Sequence, residues 1–280
     1  MLDPAALSDA IHAAIGEAAV TLRADVRAAL AAAEATETSE RGRTVIRQLL
    51  ENADIAVADR VPVCQDTGSA WVRLTLGADQ MLPADLQALA DEAVARAYRG
   101  FGLRMSLVRD ALFDRTNTGD NTPAFLDVTL RPGTGARVDV MLKGGGSDNA
   151  SALAMLPPSA GAEGVRDFVL ETVRAKATGA CPPLLVGVAV GGTFDTVSSM
   201  AKKALLREIG APAQDPKAAA FEAELLAAIN ATGIGPAGLG GATTALAVHL
   251  VTAPCHIAAL PVAINMGCCA IRAASVEVAS

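Results

Sequence analysis

Apolar residues recur at Leu7, Ile11, Ile15, Ala18, Leu22 and Val26, the three-to-four spacing of a helical stripe, which predicts a helix from Ala5 to about Leu30. The polar stretch "TETSERGR" interrupts it, and a helical pattern resumes from Thr44 to Leu50. The first part of the chain, to about residue 55, is therefore expected to be mostly helix. "AWVRLTLG" then alternates like a strand, and "LPADLQALADEAVARAYRGFG" reads as a helix with Pro83 in its first turn. "RDALFDRTNTGDNTP" is too rich in Asn, Thr, Asp and Gly for regular structure. Two strands follow, "AFLDVTL" and "ARVDVML", joined by the turn "RPGTG". Further on, Glu163 to Lys176 has the pattern of an amphipathic helix and "PPLLVGVAVGG" that of a strand buried on both faces. Asp195 to Glu208 and Pro216 to Ile229 read as helices, and Thr244 to Thr252 and Ile257 to Ile264 as strands.

Strands alternating with helices predict a mixed α/β fold, with more than one sheet flanked by helices. No linker or repeat interrupts the pattern, so residues 1–280 are expected to form one domain with a helical N-terminal part. The pattern does not order the strands.

Composition narrows the function. A chain of 280 residues can bury a substantial core without a disulfide or metal for stability. Its hydrophobic fraction is 51% but its aromatic fraction only 3%, so that core must be closely packed from small side chains. The formal net charge of −7 withholds the basic field that phosphate contact requires, which argues against nucleic acid as a ligand. The segment Val251 to Ile271 lacks charged residues, yet Pro254, His256, Pro261, Asn265 and Gly267 spoil it as a membrane span. The N-terminus has an acid at Asp3 and no basic region of the secretory kind. A soluble, cytoplasmic protein is expected, with a small metabolite or a protein partner as its ligand.

Five cysteines, an odd number, suit reduced thiols rather than a disulfide framework. Three of them share a setting. Cys64 precedes "QDTG", Cys181 opens "CPPLLVGVAVGGT", and Cys268 follows "HIAALPVAINMG", each at the junction of an apolar strand and a turn. They are too widely spaced for a zinc finger, whose ligands come in close pairs. Three thiolates could hold a metal group with one position left open, as a Lewis-acid site requires. With Cys255 or Cys269 as a fourth, they could instead close an electron-transfer cluster. Buried packing as small hydrophobes is the third possibility.

Two glycine-rich stretches offer unobstructed backbone amides. "GIGPAGLGG" matches a dinucleotide fingerprint in form only, because a helix precedes it and Pro236 lies inside it. Anion contact and tight packing both remain open for it. "KGGGSDN", with Lys143 at the end of a strand, suits a carboxylate ligand. His256 could carry a proton or serve as a hydrogen-bond partner.

The blocks "VPVCQDTG", "KGGGSDNAS", "CPPLLVGVAVGGT", "GIGPAGLGG" and "HIAALPVAINMGCCAIR" resemble, in sequence and in order, those of class I fumarases and of the alpha subunit of L(+)-tartrate dehydratase. The likeness runs from about residue 40 to residue 272. It implies an oxygen-sensitive [4Fe-4S] cluster held by Cys64, Cys181 and Cys268, with the remaining iron open to a hydroxy dicarboxylate. It further implies substrate contacts from Gln65, from Arg104 as a carboxylate clamp, and from the backbone at Gly145 or Gly146, beside the carboxylate-binding Lys143 read above from its own block. Asp66 and His256 become the candidates for proton handling. One departure is visible: the family usually has histidine after the last ligand, where this chain has Cys269. The resemblance is to the alpha half of the two-subunit enzymes, and so implies a beta subunit that supplies a catalytic base and further arginines.

The chemistry asked of such a site is demanding. A proton next to an ionised carboxylate is hard to remove, because the intermediate adds charge to a group already negative. Hydroxide leaves poorly near neutral pH unless a Lewis acid draws its electrons away. Reversible addition or elimination of water on a four-carbon dicarboxylate is the expected reaction. The alternative is a noncatalytic four-cysteine iron–sulfur subunit for electron transfer or sensing.

Overall fold

The computed structural model describes residues 2–83 and 85–279. In chain order the helices are α1 (Pro4–Val20), α2 (Ala24–Thr36), α3 (Glu40–Asp59), α4 (Leu86–Gly100), the single turn α5 (Gly145–Asn149), α6 (Gly161–Lys176), α7 (Phe194–Ala204) and α8 (Pro216–Asn230). The strands are β1 (Ser69–Gly77), β2 (Phe125–Arg131), β3 (Ala136–Lys143), β4 (Ala152–Leu156), β5 (Leu184–Gly192), β6 (Ala245–Cys255), β7 (Leu260–Gly267) and β8 (Arg272–Val278). This is the mixed α/β class read from the pattern. Internal contacts divide it into two compact units: residues 1–23, 52–145 and 271–280, and residues 24–51 and 146–270.

The first unit is built on a four-stranded sheet in the order β2-β1-β3-β8. β1 pairs in parallel with β2 and antiparallel with β3, and β3 pairs antiparallel with β8. The strands "AFLDVTL" and "ARVDVML" are thus sequence neighbours that do not pair, because β1 inserts between them. Register explains the core. Ala70, Val72, Leu74 and Leu76 stand opposite Leu142, Val140, Val138 and Ala136, so the alternating apolar residues of both strands share one face. The α1 stripe of Leu7, Ile11, Ala14, Ile15 and Ala18 joins that face, as do Ala90, Val94 and Ala97 of α4. Asp3 caps α1 by accepting from the Ala5 N–H at 3.0 Å, and Asp85 caps α4 through the Ala88 N–H at 2.8 Å. Pro83 therefore lies ahead of α4, not inside its first turn. The continuous helix expected from Ala5 to Leu30 is two helices, broken at residues 21–23, where the chain leaves this unit.

The second unit has the sheet β4-β7-β5-β6, with β7 antiparallel to both β4 and β5, and β5 parallel to β6. β5 is buried on both faces, as its unbroken apolar run predicts. Leu184, Val186 and Val188 pack with Val169, Val173, Leu225 and Ile229 of α6 and α8. Ala189 packs with Val197 and Ala201 of α7. Between them Gly187 lets α7 approach the strand directly: a Cβ there would lie 2.2 Å from the Ala201 carbonyl oxygen.

"GIGPAGLGG" takes its meaning from this unit. Glu37, 1% exposed, accepts hydrogen bonds from the Ser39, Ala242 and Thr243 N–H groups at 2.9, 2.8 and 2.9 Å. The amides just beyond the glycine run are thus occupied by the chain's own carboxylate, which ties the loop to the α2–α3 junction. Burial acts to raise the Glu37 pKa, but these N–H donors outweigh it and hold the carboxyl below its ordinary value. Of the two openings left by the sequence, packing is the one realised at these amides.

Candidate functional site

In the first unit the residues from Cys64 to Gly68 form a turn that other segments hold from all sides. Gly68 has φ +74, and a Cβ on it would lie 2.4 Å from the Lys143 carbonyl oxygen, so only glycine permits the chain to pass so close to the end of β3. The Asp66 Oδ1 accepts from the Gly68 N–H at 3.0 Å, closing the turn on itself. Its Oδ2 accepts from the Gly145 N–H at 2.9 Å. The Thr67 hydroxyl donates to the Arg104 carbonyl oxygen at 3.0 Å, and the Ser106 hydroxyl stands 3.5 Å from Asp66 Oδ1.

Beneath the turn the locking groups are buried. The Tyr98 hydroxyl donates to the carbonyl oxygens of Thr67 and Gly68 at 3.1 and 2.9 Å. Burial pushes its pKa well up, with the Asp66 charge adding to the rise and Arg272 opposing it, so the hydroxyl keeps its proton and remains a donor. Asn121, fully buried, donates from Nδ2 to the Gly68 carbonyl oxygen at 3.1 Å and accepts from the Ser106 N–H at 2.7 Å. Arg272 Nη1 donates to the Asp66 carbonyl oxygen. Four stretches distant in sequence, 64–68, 104–106, 121 and 144–145, are thereby fixed around one carboxylate.

The exposed side of this arrangement carries Gln65 and Arg104, with Cys64 half-buried and its thiol 3.4 Å from Gln65 Oε1. Lys143, by contrast, is only 4% exposed, at the last position of β3. Of the residues expected from the sequence, this unit therefore brings Cys64, Gln65, Asp66, the Arg104 segment and Gly145 together. Asn121, Tyr98 and Arg272 escaped that reading. Arg272 closes the block "GCCAIR", and its position at the end of an apolar run was the signal available.

In the second unit Cys181 and Cys268 meet at one end of the sheet. Leu185 stands opposite Gly267 in the β5–β7 ladder, Cys268 follows directly, and the Cys269 N–H donates to the Cys181 carbonyl oxygen at 3.0 Å. Cys181 has φ +54, an uncommon left-handed backbone for a residue other than glycine, and such outliers concentrate at functional sites. Gly146 also belongs to this unit, where a Cβ on it would lie 2.6 Å from the Gly179 carbonyl oxygen, two residues before Cys181.

His256 and Cys255 lie elsewhere. Both are exposed, Cys255 as the last residue of β6 and His256 in the connection to β7, with His256 Nδ1 accepting from the Ala258 N–H at 3.1 Å. The eight residues of β7, roughly 20–25 Å of extended chain, separate that connection from Cys268. The unit therefore does not bring His256 to the Cys181–Cys268 end. It separates Cys255 from those two thiols for the same reason, whereas Cys269, though buried, adjoins both.

All five cysteines are thiols. Among the described residues no three His, Cys, Asp or Glu side chains form a ready-made metal group. The donor chemistry nevertheless suits a thiophilic group: Cys181 is exposed and Cys64 and Cys268 half-buried, each anchored beside a strand or locked turn. Among the described residues, no helix is long and apolar enough to cross a membrane.

Residues 8–277 match the profile of the family described as fumarate hydratase (Fumerase). A protein of Methanocaldococcus jannaschii provisionally named L(+)-tartrate dehydratase subunit alpha is 40% identical over 274 residues, 96% of each chain. The L(+)-tartrate dehydratase subunit alpha of Escherichia coli strain UTI89 is 36% identical over 246 residues, 86% of this chain and 80% of its own. That of Shigella sonnei strain Ss046 is 36% identical over 240 residues, 84% and 78% of the two chains.

Proposed function

The chain belongs to the fumarate hydratase (Fumerase) family, and from that premise we propose that it is the alpha subunit of an iron–sulfur hydro-lyase that reversibly adds or eliminates water on a four-carbon dicarboxylate of the fumarate/malate or tartrate type. The observation that carries this reading is the clustering, within the first unit, of Gln65, Asp66, the Arg104 segment and Gly145 beside Cys64. These are the blocks that the family resemblance links to one substrate.

A [4Fe-4S] cluster on Cys64, Cys181 and Cys268 would, when bound, supply the Lewis acidity that makes hydroxide a leaving group. The protein's own residues do the rest. Arg104, exposed at the edge of the Asp66 turn, would bind one substrate carboxylate as a fork of N–H donors. Gln65 offers both an acceptor and a donor for a hydroxyl or carboxylate. The Asp66 carboxylate, held by the amides of Gly68 and Gly145, is placed to hold and move the proton. We assign that role to Asp66 rather than to His256, which stands at the far end of its sheet. Lys143 contributes positive charge from within rather than by direct contact, as its burial requires.

The relatives' designation as subunit alpha supports a beta subunit as partner. Reduced thiols and an oxygen-sensitive group suit the cytoplasm. The closed four-cysteine alternative keeps Cys269 as its only fourth ligand near Cys181 and Cys268. Anaerobic purification with the beta subunit, followed by iron and sulfide analysis and assay against hydroxy dicarboxylates, tests the proposal. An iron-loaded complex that hydrates or dehydrates a four-carbon acid supports it. An iron-loaded complex inert toward the whole panel defeats it.

A further inference from the structure

We propose that Arg272 is a positioning residue for Asp66, fixing the turn so that the carboxylate stays on the Gly145 amide. This rests on the function proposed above only for its consequence in catalysis, since the positioning is a property of the first unit alone.

Arg272 is the first residue of β8, paired with Leu142 of β3 one residue before Lys143 and two before Gly144. Its side chain is therefore rooted in the strand next to the one that delivers Gly144 and Gly145. It is only 1% exposed, so it cannot itself meet a substrate. Nη1 donates to the Asp66 carbonyl oxygen. Nη2 lies over Gly144, where a Cβ would be 3.3 Å from it and 3.1 Å from Asp66 Oδ2. The guanidinium and the carboxylate thus crowd the same face of one glycine.

The remaining nitrogen sharpens the inference. Arg272 Nε is buried without a hydrogen-bond partner. Burying a cation on such terms is unfavourable for folding, and an apolar side chain of similar volume would serve packing better. What the guanidinium provides that an apolar group cannot is a directed donor to Asp66 and positive charge beside its carboxylate. Lysine would not replace it, because its ammonium is a point charge on a flexible stem and not a rigid, planar fork of donors.

The test compares R272M and R272K with the parent, as the anaerobic complex with the beta subunit. Local amide exchange at Gly145 reads the positioning without reference to activity: loss of the Asp66 acceptor should speed it about tenfold or more, the worth of a hydrogen bond to a charged group. Turnover should fall about 100-fold with KM nearly unchanged, the effect of displacing a reacting group while leaving binding intact, and R272K should recover only part of it. If R272M does not fold, R272K carries the same two measurements. Parental Gly145 exchange and parental turnover in a folded variant overturn the inference. A parent complex without hydro-lyase activity defeats the functional reading instead, and Gly145 exchange then still decides whether Arg272 positions Asp66.

Discussion

Replacing Glu37 tests whether the glycine-rich loop is held by an internal carboxylate. The side chain is 1% exposed and satisfies the N–H groups of Ser39, Ala242 and Thr243. In E37Q the shape is kept, but one carboxylate oxygen becomes an NH2 facing donors. At least one buried N–H loses its acceptor, at about 1–3 kcal/mol, and the charge assistance of the others is lost as well. The total expected loss is about 3–4 kcal/mol. Urea denaturation of the purified chain measures it, with E40Q as a control: Glu40 is exposed and its pair with Arg43 is worth at most about 0.5 kcal/mol.

The pH dependence carries a sign. Because the folded-state pKa of Glu37 is depressed, its contribution is present above the ordinary carboxyl value of 4.5 and is lost as pH falls through the lower folded value. The parent should therefore lose stability below about pH 4.5 more steeply than E37Q. A variant within 0.5 kcal/mol of the parent at neutral pH, about the effect of an ordinary surface change, with the same acid slope, would refute the reasoning.

Other substitutions probe the site directly. G68A places a Cβ 2.4 Å from the Lys143 carbonyl oxygen at positive φ, and should cost at least about 2 kcal/mol on thermal unfolding; an unchanged melting temperature would contradict the tight approach. G144A inserts a methyl against Asp66 Oδ2 and Arg272 Nη2, and should lower turnover about tenfold with little change in overall stability. C255S should retain the parent's iron content, since its sheet position separates it from Cys181 and Cys268. Retention of iron by C269S as well would exclude the closed four-cysteine arrangement, whereas its loss would favour it. Y98F removes a buried hydroxyl that satisfies two carbonyl oxygens, and should destabilise the chain by about 1–2 kcal/mol in denaturant titration.

Much of the fold was legible because it follows periodicity. The buried strand β5, the helices α6 and α8 and the strands β2 and β3 stand where apolar spacing and turn residues put them. Pairing was not legible: β1 lies between β2 and β3, a choice made by the matching apolar faces of β1 and β3 and not by proximity along the chain. β4 and β8 were missed, the first because it is only five residues long between flanking turns, the second because alanine and serine blur its alternation. In the site, Cys64, Gln65 and Asp66 announced themselves as polar groups packed into one turn. Arg272, Asn121 and Tyr98 did not, because their roles depend on backbone carbonyls that only the folded chain assembles. His256 was named for its chemistry, and the direction of β7 determines where that chemistry can act.

The central claim is that iron with a vacant position, held by thiols, engages the dicarboxylate. Mössbauer spectra of the anaerobic complex loaded with isotopically enriched iron, recorded with and without substrate, address it most directly. The account predicts that one iron site alone changes its parameters when the dicarboxylate is added. Spectra indifferent to substrate, with every iron in the same thiolate environment, would contradict it.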